Sequence, residues 1–296
     1  MSVIVLRHQT KQGEHLQATF LPEKGMNLIS LKKDDLEVID QSTQNLFEER
    51  YAGLGALIGP HFHHRRAELI PPIKDEQLFP HIARVKAKGI QDPFSHGIAR
   101  YAPWKAEATP MNVKAQLSGK DTWNGVALST LEGQNFNMCL EAHLQENGLF
   151  LTLSIVSDTD SLVGIHYYYA LPQGKGRIIS EIQSQVGIQG ELKPMPSNWQ
   201  FDSQQRLMFD LKQEADLTFH PYPDPLKGNI LLETEEYSLR TRYECVCAEN
   251  CWQLYHPKDA SFVCIEPISA QDPRHPNLSV SSLTIHLEIL SGIKNL

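Results

Sequence analysis

SVSSLTIHLEIL (residues 279–290) has the clearest strand pattern in the chain, because apolar and polar residues alternate over most of its length. Successive side chains of a β-strand point to opposite faces, so a period of two predicts a half-buried strand. An α-helix would instead repeat its apolar residues every three to four positions. The apolar residues share one face (Leu283, Ile285, Leu287, Ile289) and the polar residues share the other (Thr284, His286, Glu288).

The same alternation recurs along the chain and predicts a mostly β protein. Helical patterns are few, and the best is QSTQNLFEERYAG (41–53), with Ser42 as its predicted N-terminal cap. No internal repeat or linker divides the chain, so residues 1–296 are expected to form a single domain. We predict a large β-sandwich of two packed sheets, or one large closed sheet. The alternating segments are VIVLR (3–7), LQATFL (16–21), MNLISL (26–31), LEVID (36–40), LFLTLSIVS (149–157), GIHYYYAL (164–171), SLRTRYECVCA (238–248) and SFVCIEP (261–267).

Composition and charge exclude several classes of function. The chain has 296 residues, 41% of them apolar, so it can bury a large core. The formal net charge of −8, without basic runs, argues against a nucleic-acid partner. The first apolar run is too short for a secretory signal, and no stretch reaches the roughly 18 apolar residues of a membrane helix. The odd count of five cysteines favours reduced thiols and a cytoplasmic location.

Two polar residues stand out within apolar strands. In SFVCIEP, Glu266 shares a face with apolar residues, and Pro267 is expected to end the strand. A buried unpaired carboxylate is costly, so Glu266 is either solvated or paired at a strand end, or a general base that opens on a pocket. In GIHYYYALP (164–172), His166 and Tyr168 share a face. His166 is either a core histidine bonded to a carbonyl, or part of an aromatic floor for a sugar ring.

Histidines and arginines cluster in IGPHFHHRRAEL (58–69), and the cluster has three interpretations. His61 and His63 alternate on one face and, with Glu68, resemble the first metal motif of the cupins, which are β-barrels. The second half of that motif is missing downstream, which makes a metal site the weaker interpretation. The cluster is otherwise the rim of a ligand pocket or a solvated surface.

Four segments, taken in order, resemble the aldose 1-epimerase (galactose mutarotase-like) family. They are GPHFHHRR, SHGIARYAPW, GIHYYYALP and VCIEPISAQDPRHPN. That family has a loop with Asn-Arg, a His-Gly-Phe-Ala-Arg…Trp stretch, a His-x-Tyr-Phe strand and a Glu-Pro strand near the C-terminus. The segment ADLTF, with Asp216 and Phe219, matches a further Asp…Phe segment. Each motif is short, but their order and spacing make the set specific over most of the chain.

The first motif departs from the family pattern. His64 stands where the family has asparagine, and the loop is one residue longer. Arg65 is favoured over Arg66 as the match to the family's arginine. His61 and His63 have no counterpart in the family.

The resemblance implies a galactose mutarotase-like β-sandwich and an isomerase that interconverts the α and β anomers of an aldose or aldose phosphate. Ring opening removes a proton from O1 and delivers one to the ring oxygen, which calls for a base and an acid. By resemblance, Glu266 is the base, ionised at neutral pH, and His166 is the acid, its pKa raised by a neighbouring negative charge. The other implied roles are charge stabilisation (His96), binding of ring hydroxyls (Arg65, Asp216) and stacking on the sugar (Trp104, Tyr168).

This chemistry requires no metal and no cofactor. The expected partner is a monosaccharide or a sugar phosphate, with no role for nucleic acid or membrane. Two alternatives stay open: a non-catalytic carbohydrate-binding module of the same fold, and a cupin-like metal enzyme that uses His61, His63 and Glu68.

Overall fold

A computed structural model of the chain describes residues 3–63 and 71–291. Within these ranges the strands form four antiparallel sheets, of which the largest have ten and seven strands. This architecture confirms the predicted mostly β class and the large β-sandwich. None of the helices in the two described ranges is long and apolar enough to cross a membrane.

The ten-stranded sheet contains the alternating segment near the C-terminus, which is strand β23 (Leu278–Ser291). That strand pairs with β11 (Gly148–Ser161) on one side and with β20 (Tyr237–Cys245) on the other. In spatial order the strands are β16 (Gln200–Phe201), β17 (Leu207–Asp210), β13 (Arg177–Ser180), β19 (Lys227–Glu233), β20 (Tyr237–Cys245), β23 (Leu278–Ser291), β11 (Gly148–Ser161), β10 (Phe136–Gln145), β7 (Asn112–Ser118) and β6 (Lys105–Ala108).

The seven-stranded sheet packs on the other side of the core. In spatial order its strands are β15 (Glu191–Pro194), β14 (Ile182–Ile188), β18 (Ala215–Pro221), β21 (Cys251–His256), β22 (Phe262–Ile268), β12 (Gly164–Ala170) and β5 (Gly55–Ile58). The two smaller sheets comprise β1 (Ile4–Gln9), β2 (His15–Leu21), β3 (Asn27–Lys33) and β4 (Leu36–Glu37), and the hairpin of β8 (Thr122–Trp123) and β9 (Val126–Ala127).

The core lies between the two large sheets and follows the alternation of their strands. The four apolar residues of β23 that share a face are buried in one continuous apolar cluster. The same cluster includes Ile165, Tyr167 and Tyr169 of β12, and Val263 and Ile265 of β22. Burial of each large apolar side chain stabilises the fold by about 1.5–3 kcal/mol.

Strand β12 is buried on both of its faces, which positions the candidate site. Its odd-numbered residues face the core, yet His166 and Tyr168, which point to the other face, are also buried. Strand β22 repeats this arrangement, because Cys264 and Glu266 are buried opposite the core residues. The face that carries Glu266 is therefore not the core face, and it is covered by loops.

The predicted helix over 41–53 is shorter than expected and begins differently. A 3-10 turn (Gln41–Thr43) precedes helix α1 (Gln44–Arg50). The prediction of Ser42 as the cap was wrong: the Asp40 side chain accepts a hydrogen bond from the Ser42 backbone N–H. Helices α2 (Pro80–Ala87) and α3 (Leu128–Glu132) were not predicted, because each spans too few residues for a clear helical period.

Pro267 does not end its strand, since β22 continues to Ile268. Proline lacks a backbone N–H and is tolerated where a strand does not need that donor. In the register between β12 and β22, Gly164 pairs with Ile268 and Tyr167 pairs with Ile265, so Pro267 is not paired with a residue of β12. Glu266 thus lies inside a strand and not at its end.

Candidate active site

A cavity of about 700 Å³ opens on the face of the seven-stranded sheet that points away from the core. Its volume lies within the range of small-molecule sites. The floor comes from neighbouring strands and the walls from loops. The floor includes His166, Tyr168, Asp216, Thr218, Gln253, Tyr255 and Glu266; the walls include Arg50, Phe62, His63, Ser95, His96, Arg100, Tyr101, Asp272 and Arg274.

Glu266 and His166 form a buried polar pair on the cavity floor. They are 1% and 7% exposed, and the Glu266 Oε1 atom lies 3.4 Å from the His166 Nε2 atom. Glu266 Oε2 and His166 Nδ1 have no hydrogen-bond partner within residues 3–63 and 71–291. Because a buried polar atom without a partner costs about 1–3 kcal/mol, we expect these atoms to interact with a ligand.

Burial dominates the electrostatics of this pair. It raises the pKa of Glu266 well above the usual glutamate value, against the opposing effect of Arg100. Burial also lowers the pKa of His166 well below the usual histidine value, and Arg100 lowers it further. The expectation of an ionised Glu266 beside a His166 of raised pKa is therefore wrong for this cavity, because desolvation penalises both charged forms. Between the two pKa values the pair holds one proton.

His96 approaches the same pair from a loop. Its ring centroid lies 5.4 Å from that of His166. The Nδ1 atom is 3.0 Å from the Phe62 carbonyl oxygen, and as N–H it donates to that oxygen, which leaves Nε2 as the second polar atom of the ring. Burial lowers the pKa of His96 well below its usual value, so the ring is neutral at neutral pH. A neutral His96 therefore presents Nε2 as an acceptor.

His61 holds this loop from behind and does not line the cavity. Its Nδ1 bonds Glu132, and its Nε2 lies 2.9 Å from Asp92 Oδ2. Glu132 also accepts a hydrogen bond from the Ile98 backbone N–H at 2.9 Å, and Asp92 from that of Phe94 at 2.9 Å. Burial opposes a charge on His61, but the two carboxylates outweigh it and raise its pKa to about 10. We call these three residues (His61, Asp92, Glu132) the His61 clasp.

The His61 clasp argues against the cupin-like metal site. Both ring nitrogens of His61 face carboxylates and carry protons, so neither offers a lone pair to a metal. His63 points elsewhere and lines the cavity, with its ring centroid 5.4 Å from that of His96. Glu68 lies outside the described residues.

Arg100 is a cavity residue that we did not select from the sequence. It is 3% exposed, and its Nη2 atom has no hydrogen-bond partner in the part of the chain that the structure describes. Its charge lowers the pKa of both Glu266 and His166. The signal was present in SHGIARYAPW, where a 3-10 turn (Ile98–Arg100) brings the guanidinium back beside His96.

The structure brings most of the selected residues together. Tyr168 lines the cavity and stacks on His166, with ring centroids 4.9 Å apart. Asp216 lines the cavity as well. Trp104 does not: it is 5% exposed in the core, and its indole N–H donates to the Ala99 carbonyl at 2.8 Å. Arg65, together with His64 and Arg66, lies outside the described residues.

Comparisons with known proteins find likeness in structure only. No protein-family model matches the chain, and no curated protein matches its sequence. The GalM/aldose epimerase homologue from C. elegans matches with a TM-score of 0.65 and 16% identity, over 99% of this chain and 100% of that chain. A galactose mutarotase-like protein from Lactobacillus casei matches with a TM-score of 0.65 and 12% identity, over 97% and 100%. A galactose mutarotase related enzyme from Lactobacillus acidophilus matches with a TM-score of 0.62 and 13% identity, over 100% of both.

The chain has the galactose mutarotase-like fold. This fold explains why four distant segments meet at one cavity. Strands β12 and β22 are neighbours in the sheet, so His166 and Glu266 lie side by side. The loop that carries His96 packs over them, because the Gly59 N–H donates to the His96 carbonyl and the His96 N–H to the Phe62 carbonyl. At identities this low the galactose mutarotase-like fold alone is shared, so the reaction must be argued from the site.

Proposed function

We propose that this protein is an aldose 1-epimerase that interconverts the α and β anomers of an aldose or an aldose phosphate. The observation that carries the proposal is the buried pair of Glu266 and His166, 3.4 Å apart on the floor of a cavity of about 700 Å³. Mutarotation needs one group to take a proton from O1 and another to give one to the ring oxygen. A pair that shares a single proton supplies both.

The reaction takes one proton from the sugar and returns one to it, and the Glu266–His166 pair can do both because it holds a single proton. The single proton of the pair rests on Glu266, and ring opening starts from the tautomer in which that proton has moved to His166. In that tautomer Glu266 accepts the O1 proton while His166 donates to the ring oxygen. The open aldehyde then faces a neutral Glu266 and a neutral His166, which is the state that burial favours. After rotation about the bond between C1 and C2, the aldehyde oxygen regains its proton from Glu266, and His166 takes back the other. The enzyme is unchanged and no proton is gained or lost.

The surrounding residues bind and orient the sugar in this proposal. His96 Nε2 accepts a hydrogen bond from a hydroxyl near the reacting atoms, and Arg100 stabilises negative charge that develops on the oxygens. Asp216 and Arg65 bind ring hydroxyls, and Tyr168 packs on the sugar ring. Arg100 is 3% exposed, and this burial strengthens its electrostatic interactions relative to water.

The decisive experiment is polarimetry on freshly dissolved α-anomers of free and phosphorylated aldoses. We expect the protein to accelerate the change in optical rotation, and Glu266→Gln and His166→Gln each to remove about 10²–10⁴ of the rate, the usual contribution of a general acid or base. Glu191→Gln is the matched control, since Glu191 lies at an exposed part of the same cavity. Sugar binding without acceleration would refute the enzyme and favour a carbohydrate-binding module.

A further inference from the structure

Three side chains that bind metals in proteins lie together at the floor of the cavity: His166 and Glu266 line it, and Cys264 is fully buried next to them. His166 comes from β12, and Cys264 and Glu266 come from the adjacent β22, all on the face away from the core. One nitrogen, one sulfur and one oxygen of the three lie within 4.8 Å of one another. Cys264 has no role in the proposed acid-base chemistry, so its presence in this cluster points to a different use of the three side chains.

The geometry of the cluster suits a tetrahedral ion. Zn–N and Zn–O bonds of about 2.0–2.2 Å place neighbouring tetrahedral ligands roughly 3.3–3.5 Å apart. The Glu266 Oε1 atom lies 3.4 Å from His166 Nε2. Both residues are at least nine-tenths buried, and Glu266 Oε2 and His166 Nδ1 have no hydrogen-bond partner among the described residues. The cluster therefore has two ligand atoms, Glu266 Oε1 and His166 Nε2, at the separation that zinc requires, and a second carboxylate oxygen without a partner in the described ranges.

We propose that His166, Cys264 and Glu266 bind one Zn²⁺ ion, with the fourth position of the ion open to the cavity. A thiolate with an imidazole selects zinc over magnesium or calcium, which prefer oxygen ligands alone. On binding, Cys264 loses its thiol proton and the Glu266–His166 pair loses the one proton that it holds, and both protons pass to solvent. The ion has no part in mutarotation; it occupies the groups that would perform it.

Arg100 sets the strength of this site. Its guanidinium lines the same cavity and opposes a second positive charge there. The Cys264 thiolate and the Glu266 carboxylate supply two negative charges that offset the repulsion between Arg100 and the ion. We therefore expect Zn²⁺ to bind more weakly than in a structural zinc site, so that its inhibition of the protein is reversible. The inhibition, though not the binding, rests on the proposed function: zinc ties up Glu266 and His166, so zinc and sugar compete.

Cobalt is the probe for this site, because tetrahedral Co²⁺ bound to a thiolate gives intense visible absorption and a thiolate-to-cobalt charge-transfer band. We expect one equivalent of Co²⁺ to produce both in the metal-free protein, Zn²⁺ to displace it, and Cys264→Ser to abolish the charge-transfer band. Cys247→Ser is the control, because the neighbouring thiols of Cys245 and Cys247 are the alternative source of such a band. A band that survives in Cys264→Ser and disappears in Cys247→Ser would overturn the assignment.

A second measurement uses the unmodified chain and covers the case in which Cys264→Ser fails to fold. Crystals soaked in Zn²⁺ should give an anomalous-scattering peak about 2.0–2.3 Å from the three ligand atoms. No peak there, or a peak elsewhere alone, refutes the site. Neither measurement depends on sugar turnover. A protein that binds zinc but does not accelerate mutarotation would refute the proposed function alone, and an active protein without the cobalt spectrum would refute the zinc site alone.

Discussion

Replacing His61 with glutamine tests whether a buried imidazolium holds the loop that carries His96. His61 bonds Asp92 and Glu132, which are 31 and 71 residues away in the sequence. Glutamine is of similar size but carries no charge. Glu132, which is 2% exposed, would then keep its bond to the Ile98 N–H but lose the cation at its other oxygen.

The pKa of His61 gives the size and the sign of the effect. A rise from 6.5 to about 10 corresponds, at about 1.4 kcal/mol per unit, to about 5 kcal/mol. Removal of one partner from a buried ion pair costs about 3–5 kcal/mol, so we expect His61→Gln to lower the free energy of unfolding by about that amount below pH 6.5. The folded pKa lies above the unfolded one. The contribution of His61 is therefore complete below pH 6.5 and is lost as the pH rises through about 10.

The assay is urea-induced unfolding of the wild type and His61→Gln at a series of pH values. The difference in unfolding free energy should shrink with pH by about 1.4 kcal/mol per unit above the unfolded pKa. His8→Gln is the control, because His8 pairs with Glu146 at the surface, 3.4 Å apart, and surface pairs contribute little. A difference that stays constant from neutral to alkaline pH would refute the clasp as a charged pair. So would a difference below about 1 kcal/mol, the value of a surface pair.

Three further outcomes follow from the site. The dependence of kcat/KM for mutarotation on pH should be bell-shaped, because activity requires the state in which Glu266 and His166 share one proton. The acid limb should lie below the usual histidine pKa and the alkaline limb above the usual glutamate pKa. Activity that already declines as the pH rises through 4.5 would contradict this. Arg100→Gln should move the alkaline limb further upward, since Arg100 lowers the pKa of Glu266; an unchanged pH profile would show that the guanidinium does not act on the pair. Gly97→Ala should destabilise the protein by at least about 1–3 kcal/mol, because Gly97 has a φ of +90° and its added Cβ would lie 2.0 Å from the Gly59 carbonyl oxygen; urea unfolding equal to the wild type would contradict that backbone geometry.

Much of the site could be predicted from short motifs, because each motif fixes residues on one strand or loop. Glu266, His166, His96, Asp216 and Tyr168 all line one cavity. The directions of the pKa shifts of Glu266 and His166 could not be predicted in the same way. They depend on how completely the walls exclude water, and that burial comes from loops far away in the chain.

Selection by residue type failed where packing decides the outcome. Trp104 was chosen as an aromatic ring near His96, but its side chain turns into the core and bonds Ala99. Arg100 was not selected from the sequence, although it is buried and lines the same cavity as Glu266. Arg100 is the last residue of a short 3-10 turn, and Trp104 bonds the Ala99 carbonyl of the same turn, whose few residues leave no period to detect.

Alternation along the chain was enough to establish a mostly β protein, its strands and the partition of each strand into two faces, because a period of two is a local property of extended backbone. It did not reveal which face of β12 and β22 meets the core and which faces the cavity, since both faces are buried. Nor did it reveal that His61 is a charged clasp. Its carboxylates arrive from distant segments, and the free energy of a buried charge depends on neighbours that only the folded chain assembles.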